Sequence, residues 1–269
     1  MKKIILTIFI LITSITLYGF FINPIGFKTT SNTIEVSNLS KSFDGFKILQ
    51  LSDFLIKSSK DLDRLENINK EIKKLKPDII IYTGDLLHKD NTLKEDDITK
   101  LKDILYNMEC TLYKYAVLGD NDDITKYTDV MNIGSFIVLD NESKYIFYKD
   151  ITPIKITGIT NLDNLDKSIT IEDNLDTTFN LVITHYPDYF DTIKNMDIDV
   201  ILAGHSLKGQ IRIPFYGGIV RLNDAKKYLN GYYEEKNTKM YVSSGIGNNK
   251  IDFRLFNKPE INLYILKSN

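Results

Sequence analysis

Apolar residues along this chain fall into two kinds of run, and the two kinds alternate. Six short runs, at 46–51, 79–82, 115–118, 154–157, 181–184 and 200–203, are rich in aliphatic and β-branched residues and stop abruptly at polar or glycine-containing turns. Continuous apolar runs of that length suit strands buried on both faces. Between the first two, the stretch from Leu62 to Leu75 places Leu65, Ile68, Ile72 and Leu75 at helical intervals. The stretch from Ile98 to Tyr106 repeats the pattern with Leu101, Ile104 and Leu105. Alternation of strand and helix predicts right-handed crossovers and an α/β sheet. Beyond residue 205 the helical patterns fade and short strands remain, at 239–242 and 261–266.

One run is of a different order. From Ile4 to Ile22, nineteen residues carry no charge, and only small hydroxyl residues interrupt the apolar pattern. At about 1.5 Å per residue a helix of this length spans roughly a hydrocarbon core. Asn23-Pro24 ends it, because proline disfavours helix at the residue before it. A cleaved signal peptide is the competing reading. The run is longer than the apolar core of such a peptide, and Tyr18-Gly19-Phe20-Phe21 lacks a small-x-small cleavage pattern. The expectation is a single-pass anchor with a short linker over residues 1–30, then one domain over 31–269. Lys2 and Lys3 place the N-terminus in the cytoplasm and the domain outside, on the cell membrane.

Composition narrows the function classes. Hydrophobic residues make up 43% of the chain and charged residues 26%, which excludes a disordered chain. Lys and Arg number 34 against 36 Asp and Glu, so no basic footprint for nucleic acid exists. The single cysteine, Cys110, excludes an internal disulfide and a cysteine-built metal site. Only His88, His185 and His205 are available to a catalytic or metal-binding histidine role.

Five of the expected strands end in short polar turns: Ser52-Asp53, Gly84-Asp85, Gly119-Asp120-Asn121-Asp122, His185-Tyr186-Pro187 and Gly204-His205-Ser206. Ligand sites of α/β sheets lie beyond the carboxyl ends of the strands. Each turn alone is weak evidence, because aspartate after glycine commonly just bonds its own backbone. Delivered together, their acids and histidines make a metal site.

The order Ser-Asp, Gly-Asp-Leu, Leu-Gly-x-x-Asp, Thr-His-x-Pro and Ala-Gly-His-x-x-x-Gly-Gln resembles the calcineurin-like metallophosphoesterases, and most of all their membrane-associated bacterial branch. Gly209 to Pro214, Gly217-Gly218, the Tyr-x-x-Gly-x-Tyr of Tyr228 to Tyr233, Tyr241 to Gly247, Arg254 and Pro259-Glu260-Ile261 extend the resemblance, which runs from about residue 33 to 266. It implies a four-layer α/β/β/α sandwich, with helices outside two stacked mixed sheets. It also implies two divalent metals at the strand ends that activate water and clamp phosphoryl oxygens.

Position by position, the resemblance also exposes losses. Asp53 matches the first aspartate, but its histidine partner is Leu55. Asp85 matches the aspartate that bridges both metals. Asp120 replaces an asparagine ligand, and Asn121 replaces the histidine that assists the leaving group. His185 and His205 match, whereas the second histidine of the Gly-His motif is Leu207. Both histidines of the first metal are therefore leucine, which coordinates nothing. Every position of the second metal keeps a donor. This predicts one divalent ion per chain (Mn, Fe or Zn), held by Asp85, Asp120, His185 and His205, with Asp53 a further candidate. Two aspartates buried together without a counter-ion would be costly.

Four neighbours of the motifs carry further expectations. His88 reads as a solvated loop residue among charged neighbours. Lys208 is either an exposed surface lysine or a phosphate contact standing in for lost metal charge. Asp122 and Asp123 are expected to cap the helix that follows near Ile124. No catalytic residue is identifiable. The expected function is a membrane-anchored hydrolase of phosphate esters or diphosphates, lipid-linked ones included, slowed by its reduced site. The alternative is a pseudoenzyme that binds a phosphorylated small molecule, a lipid headgroup or an envelope partner without turnover. A structural surface protein, its metal only stabilising the fold, is a third reading.

Overall fold

The computed structural model describes residues 1–37, 39–163, 177, 179–229 and 231–268. Two six-stranded sheets form its centre. The first runs in the order β1 (Lys28–Val36), β14 (Glu260–Ser268), β2 (Lys47–Leu51), β3 (Ile79–Tyr82), β4 (Tyr113–Ala116) and β5 (Phe136–Val138). Strands β2 to β5 are parallel, and β14 runs antiparallel to β2. The second sheet runs β12 (Gly231–Glu235), β13 (Thr238–Val242), β9 (Val200–Ala203), β8 (Asn180–Thr184), β7 (Ile154–Ile159) and β6 (Glu142–Ile146). Its four inner strands are parallel and both outer strands antiparallel.

Alternate side chains of each strand enter different cores, which is why these strands read as unbroken apolar runs. Leu49, Leu51, Ile80 and Tyr82 face α2 (Ser59–Leu75), α3 (Glu95–Tyr106) and α4 (Ile124–Ile133). The helices answer with Leu65, Ile68, Ile72, Leu101, Ile104 and Leu105, all buried as the helical spacing predicts. Ile48, Ile79, Ile81 and Tyr115 point the other way and meet Ile156, Leu181, Ile183 and Leu202 between the sheets. The outer face of the second sheet packs Val182 and Ile201 on Phe190 and Ile193 of the short helix α5 (Phe190–Ile193). The architecture is thus the α/β/β/α sandwich, with a thin fourth layer among the described residues.

The fourth strand begins two residues before the expected run and ends at Ala116. Its start was hidden by Lys114, a lysine in a strand interior. The ammonium is buried and donates to the carbonyls of Leu105 and Tyr106 at 2.9 and 3.0 Å, completing the C-terminus of α3. Burial pulls its pKa down to about 8. A second buried polar residue, Gln50, ties the two sheets together. Its amide nitrogen donates to the Ala203 carbonyl at 2.9 Å, and its oxygen accepts from the Tyr264 hydroxyl at 2.9 Å.

The helix α1 (Lys2–Phe21) is long and apolar enough to cross a membrane. Its last turn does not trail free. The Arg254 N–H donates to the Gly19 carbonyl at 3.0 Å, and the Phe20 ring packs edge-on to Phe253 at 4.7 Å. Arg254 is itself fully buried. Its guanidinium donates to the carbonyls of Ser244 and Gly247 at 2.9 and 2.6 Å and to Asn248 Oδ1 at 3.0 Å. Arg254→Ala would strand these acceptors. We expect a loss of about 3 kcal/mol or more, read as an earlier denaturation midpoint of the full chain in detergent. An unchanged midpoint would reject this account of the loop.

Candidate metal centre

The site forms where five strands end. Strands β2, β3 and β4 are neighbours in one sheet, and β8 and β9 in the other, so their turns converge on one edge of the sandwich. One ligand atom each of Asp85, Asp120, His185 and His205 lies within 4.8 Å of the others.

Both imidazoles are aimed by backbone carbonyls. His185 donates from Nδ1 to the Thr83 carbonyl at 2.6 Å, which leaves Nε2 3.2 Å from Asp120 Oδ1 and 3.5 Å from Asp85 Oδ2. His205 is held the opposite way round. Its Nε2 donates to the Asn223 carbonyl at 2.7 Å, and its Nδ1 lies 3.3 Å from Asp120 Oδ1. Such outer partners fix the tautomer and present the second nitrogen's lone pair to a metal. His205 Nδ1 is buried and has no hydrogen-bond partner. A buried acceptor left unmet is costly, and a cation at the centre would meet it. Two imidazoles and two carboxylates therefore fit a divalent transition metal.

The electrostatics call for positive charge. Burial lowers the His185 pKa, but the charges and hydrogen bonds of Asp85 and Asp120 outweigh it and lift the group well above the usual histidine range. Burial likewise pushes Asp120 up, and the two histidines more than reverse this, holding it well below the usual carboxylate range. Asp53, fully buried, is raised to about 6, by burial first.

Asp53 stands beside the four donors but outside their group. Its carboxylate accepts from the His205 N–H at 3.1 Å and from the Ser52 hydroxyl. Leu55 and Leu207 are buried, at 3% and 2% exposure. They press on the Gly245–Gly247 loop: a Cβ added at Gly245 would lie 2.9 Å from Leu207 Cδ2, and one at Gly247 2.6 Å from Leu55 Cβ. Apolar packing fills the place where the resemblance puts the first metal's histidines. Asn121 donates from its backbone N–H and its amide to Asp85 Oδ1 and Oδ2, at 2.9 and 2.7 Å.

Three expectations need correction. Only Asp123 caps α4, accepting from the Lys126 N–H at 3.0 Å. Asp122 turns back and accepts from the N–H groups of Asp85, Leu86 and Gly119 at 2.8–2.9 Å, clamping two metal loops together. Burial, then the charge of Asp85, raise its pKa to about 7. His88 is not solvated. It is 4% exposed, because a bridge between Ile56 and Leu87 pulls its loop inward, and it lies outside the four-donor group. Lys208 is neither a free surface lysine nor turned to the metal cluster. Its ammonium is 2.5 Å from Glu260 Oε1, and Lys28 holds the other oxygen at 3.0 Å.

The backbone is unusual throughout the site. Asp53, Leu55, Asp85, His205 and Leu207 all have φ between 45° and 64°. Gly84 has φ 89°, and a Cβ there would lie 2.6 Å from His185 Nδ1, so only glycine fits.

A family model described as calcineurin-like phosphoesterase matches residues 46–209. The uncharacterized metallophosphoesterase YkuE of Bacillus subtilis is 30% identical over 93% of this chain and 89% of its own length. UDP-2,3-diacylglucosamine pyrophosphatase LpxG of Chlamydia muridarum is 23% identical, covering 81% of this chain and 82% of that protein. A Danio rerio transmembrane protein with metallophosphoesterase domain is 23% identical over 89% of this chain, which spans 57% of its length.

The raised groups give a pH dependence of definite sign. Asp53 and Asp122 sit above their unfolded values, so their protonated forms add stability that is lost as pH rises through about 6 and 7. His185, raised, loses its contribution in the same direction. A bound cation replaces those protons. The melting temperature gained on adding Zn or Mn to chelator-stripped protein should therefore grow between pH 5 and pH 8. A gain that shrinks over this range would contradict the charge balance.

Proposed function

This chain belongs to the calcineurin-like phosphoesterase family, and from that premise we propose that it is a membrane-anchored hydrolase of phosphate esters or diphosphates with a single-metal site. The observation that supports the proposal is the convergence of Asp85, Asp120, His185 and His205, with buried leucines, Leu55 and Leu207, at the positions where the family resemblance has the other metal's histidines. When bound, one divalent ion (Mn, Fe or Zn) on these four residues supplies Lewis acidity toward a phosphoryl oxygen or a water. The chain's own residues supply position and charge. Thr83 and Asn223 hold the imidazoles, Asn121 and Asp122 hold the Asp85 loop, and the two carboxylates balance the cation. The amide of Asn121 bonds Asp85 and, being no acid near neutral pH, cannot protonate a leaving group as a histidine would. General acid help is worth about 10²–10⁴-fold, so turnover is slow.

The substrate class follows from the anchor. Lys2 and Lys3 orient the domain to the extracytoplasmic side. One relative is named for a pyrophosphatase of an acylated sugar nucleotide, and another for a transmembrane protein. A phosphate or diphosphate near lipid headgroups fits that setting. The leucine packing also favours a second reading, binding of such a ligand without turnover.

Elemental analysis of the purified full chain should find one ion per chain, lost in His185→Ala or His205→Ala. Two tightly held ions would overturn the single-metal site. Hydrolysis of p-nitrophenyl phosphate should be weak with any metal. It should rise when Leu55→His, Asn121→His and Leu207→His are combined, and little with any one alone, because such ligands act as a unit. Robust turnover by the unmodified chain, abolished by Asp85→Ala, would reject the impaired site; a triple variant that gains a second ion but no rate would favour the binding-only reading. Protease added to spheroplasts should digest the domain, and protection beside a digested outer-face control would reverse the orientation.

A further inference from the structure

The largest exposed apolar side chains outside α1 include a group close to its end. Strands β10 (Arg212–Ile213) and β11 (Gly217–Gly218) form a small hairpin, separate from both sheets. Its tip is Pro214-Phe215-Tyr216, with Phe215 fully exposed and Tyr216 74% exposed. Ile213 and Ile219 flank the tip, and Ile251 and Phe256 are exposed on the loop beside it. Phe256 and the hairpin residues line one shared groove.

This patch is rigidly continuous with the helix. The Arg212 N–H donates to the Leu255 carbonyl at 2.9 Å, and Gln210 Nε2 donates to the carbonyls of Ile251 and Phe253, each at 2.9 Å. The same loop grips α1 through Arg254 and Gly19 and through Phe253 and Phe20, while the Tyr18 ring lies 6.0 Å from Phe256. The apolar run of α1 ends at Ile22, within this contact. Side chains fixed beside that last turn stand at the depth where hydrocarbon gives way to headgroups. Phe and Tyr are the residues that depth favours. Exposed Arg221, Lys250 and Lys258 flank the patch in sequence, while exposed Asp252 within it is paired with Lys57 at 2.7 Å.

We propose that the β10–β11 hairpin and the Ile251–Phe256 loop insert their apolar side chains into the bilayer interface, so that the domain lies against the membrane at a fixed height. The occupant of the patch is lipid. Gln210 ends the short turn Leu207–Gly209, just after His205, and its amide holds the Ile251 and Phe253 carbonyls, so this turn is tied to the patch. The proposal rests on the reading of α1 as a membrane anchor.

The test uses the full chain with Cys110→Ser, reconstituted in phosphatidylcholine–phosphatidylglycerol vesicles. A single cysteine carrying an NBD fluorophore is placed by Phe215→Cys, by Ile10→Cys within α1, or by Lys236→Cys at the far end of the second sheet. Positions 215 and 10 should shift to the blue and be quenched several-fold more by doxyl-labelled lipid than position 236. Quenching at 10 without quenching at 215 would overturn the proposal and leave the anchor standing. Absence of quenching at both would remove the anchor and the proposal together. A blue shift at 215 without lipid quenching would assign the patch to a protein surface, a second copy of the chain included, and equally overturn it.

Discussion

Negative charge gathered at the ends of buried strands is the constraint around which this molecule is arranged. Asp53 and Asp85 are almost wholly buried, and Asp122 lies beside them. Among the described residues, the ion pairs to Asp85 and Asp120 come from His185 and His205 alone. Carboxylates in such a place must be hydrogen-bonded, protonated or paired with a cation. Backbone donors meet part of the demand, through His205 on Asp53 and three N–H groups on Asp122. The rest converges on one point between four donors. The sheets serve this arrangement, because parallel neighbours deliver their turns to the same edge, and Gln50 keeps the two edges in register.

The sequence made the sheets legible because both faces of their strands are covered. Runs such as 79–82 and 200–203 coincide with β3 and β9 to the residue, since no solvent face dilutes the pattern. Lys114 broke that rule and hid the start of β4, because a lysine that snorkels to helix carbonyls is indistinguishable in sequence from an exposed one. The four donors were legible as turn residues after strands, and the lost histidines as leucines at recognisable positions. The partners that aim the donors were not. Thr83 and Asn223 contribute main-chain carbonyls, which any residue could supply. Asp122 looked like a helix cap because its neighbour is one. His88 looked solvated because its charged neighbours are, and a single β-bridge reversed that outcome.

Two local arrangements stand where the family resemblance has the other metal's histidines and the leaving-group histidine. Leu207 and Leu55 pack against the Gly245–Gly247 loop, and Asn121 satisfies Asp85 with two donors. Lys208, the nearest new cation in sequence, is spent on Glu260. The four donors sit on a loop system that also makes contact with the last turn of the apolar helix α1.

The left-handed turns carry a consequence for the life of the chain in a cell. Asp53, Leu55, Asp85, His205 and Leu207 each hold a backbone conformation that costs about 1–3 kcal/mol outside glycine. Five such residues together approach the whole stability of an ordinary domain, about 5–15 kcal/mol. These five lie in the very loops a metal would cross-link, so occupancy of the site would couple to the integrity of the loops. A copy short of its ion opens there first, and opened loops are where degradation begins. Under the proposed metal site, the abundance of this protein would then follow the supply of that ion, through the stability of these loops alone.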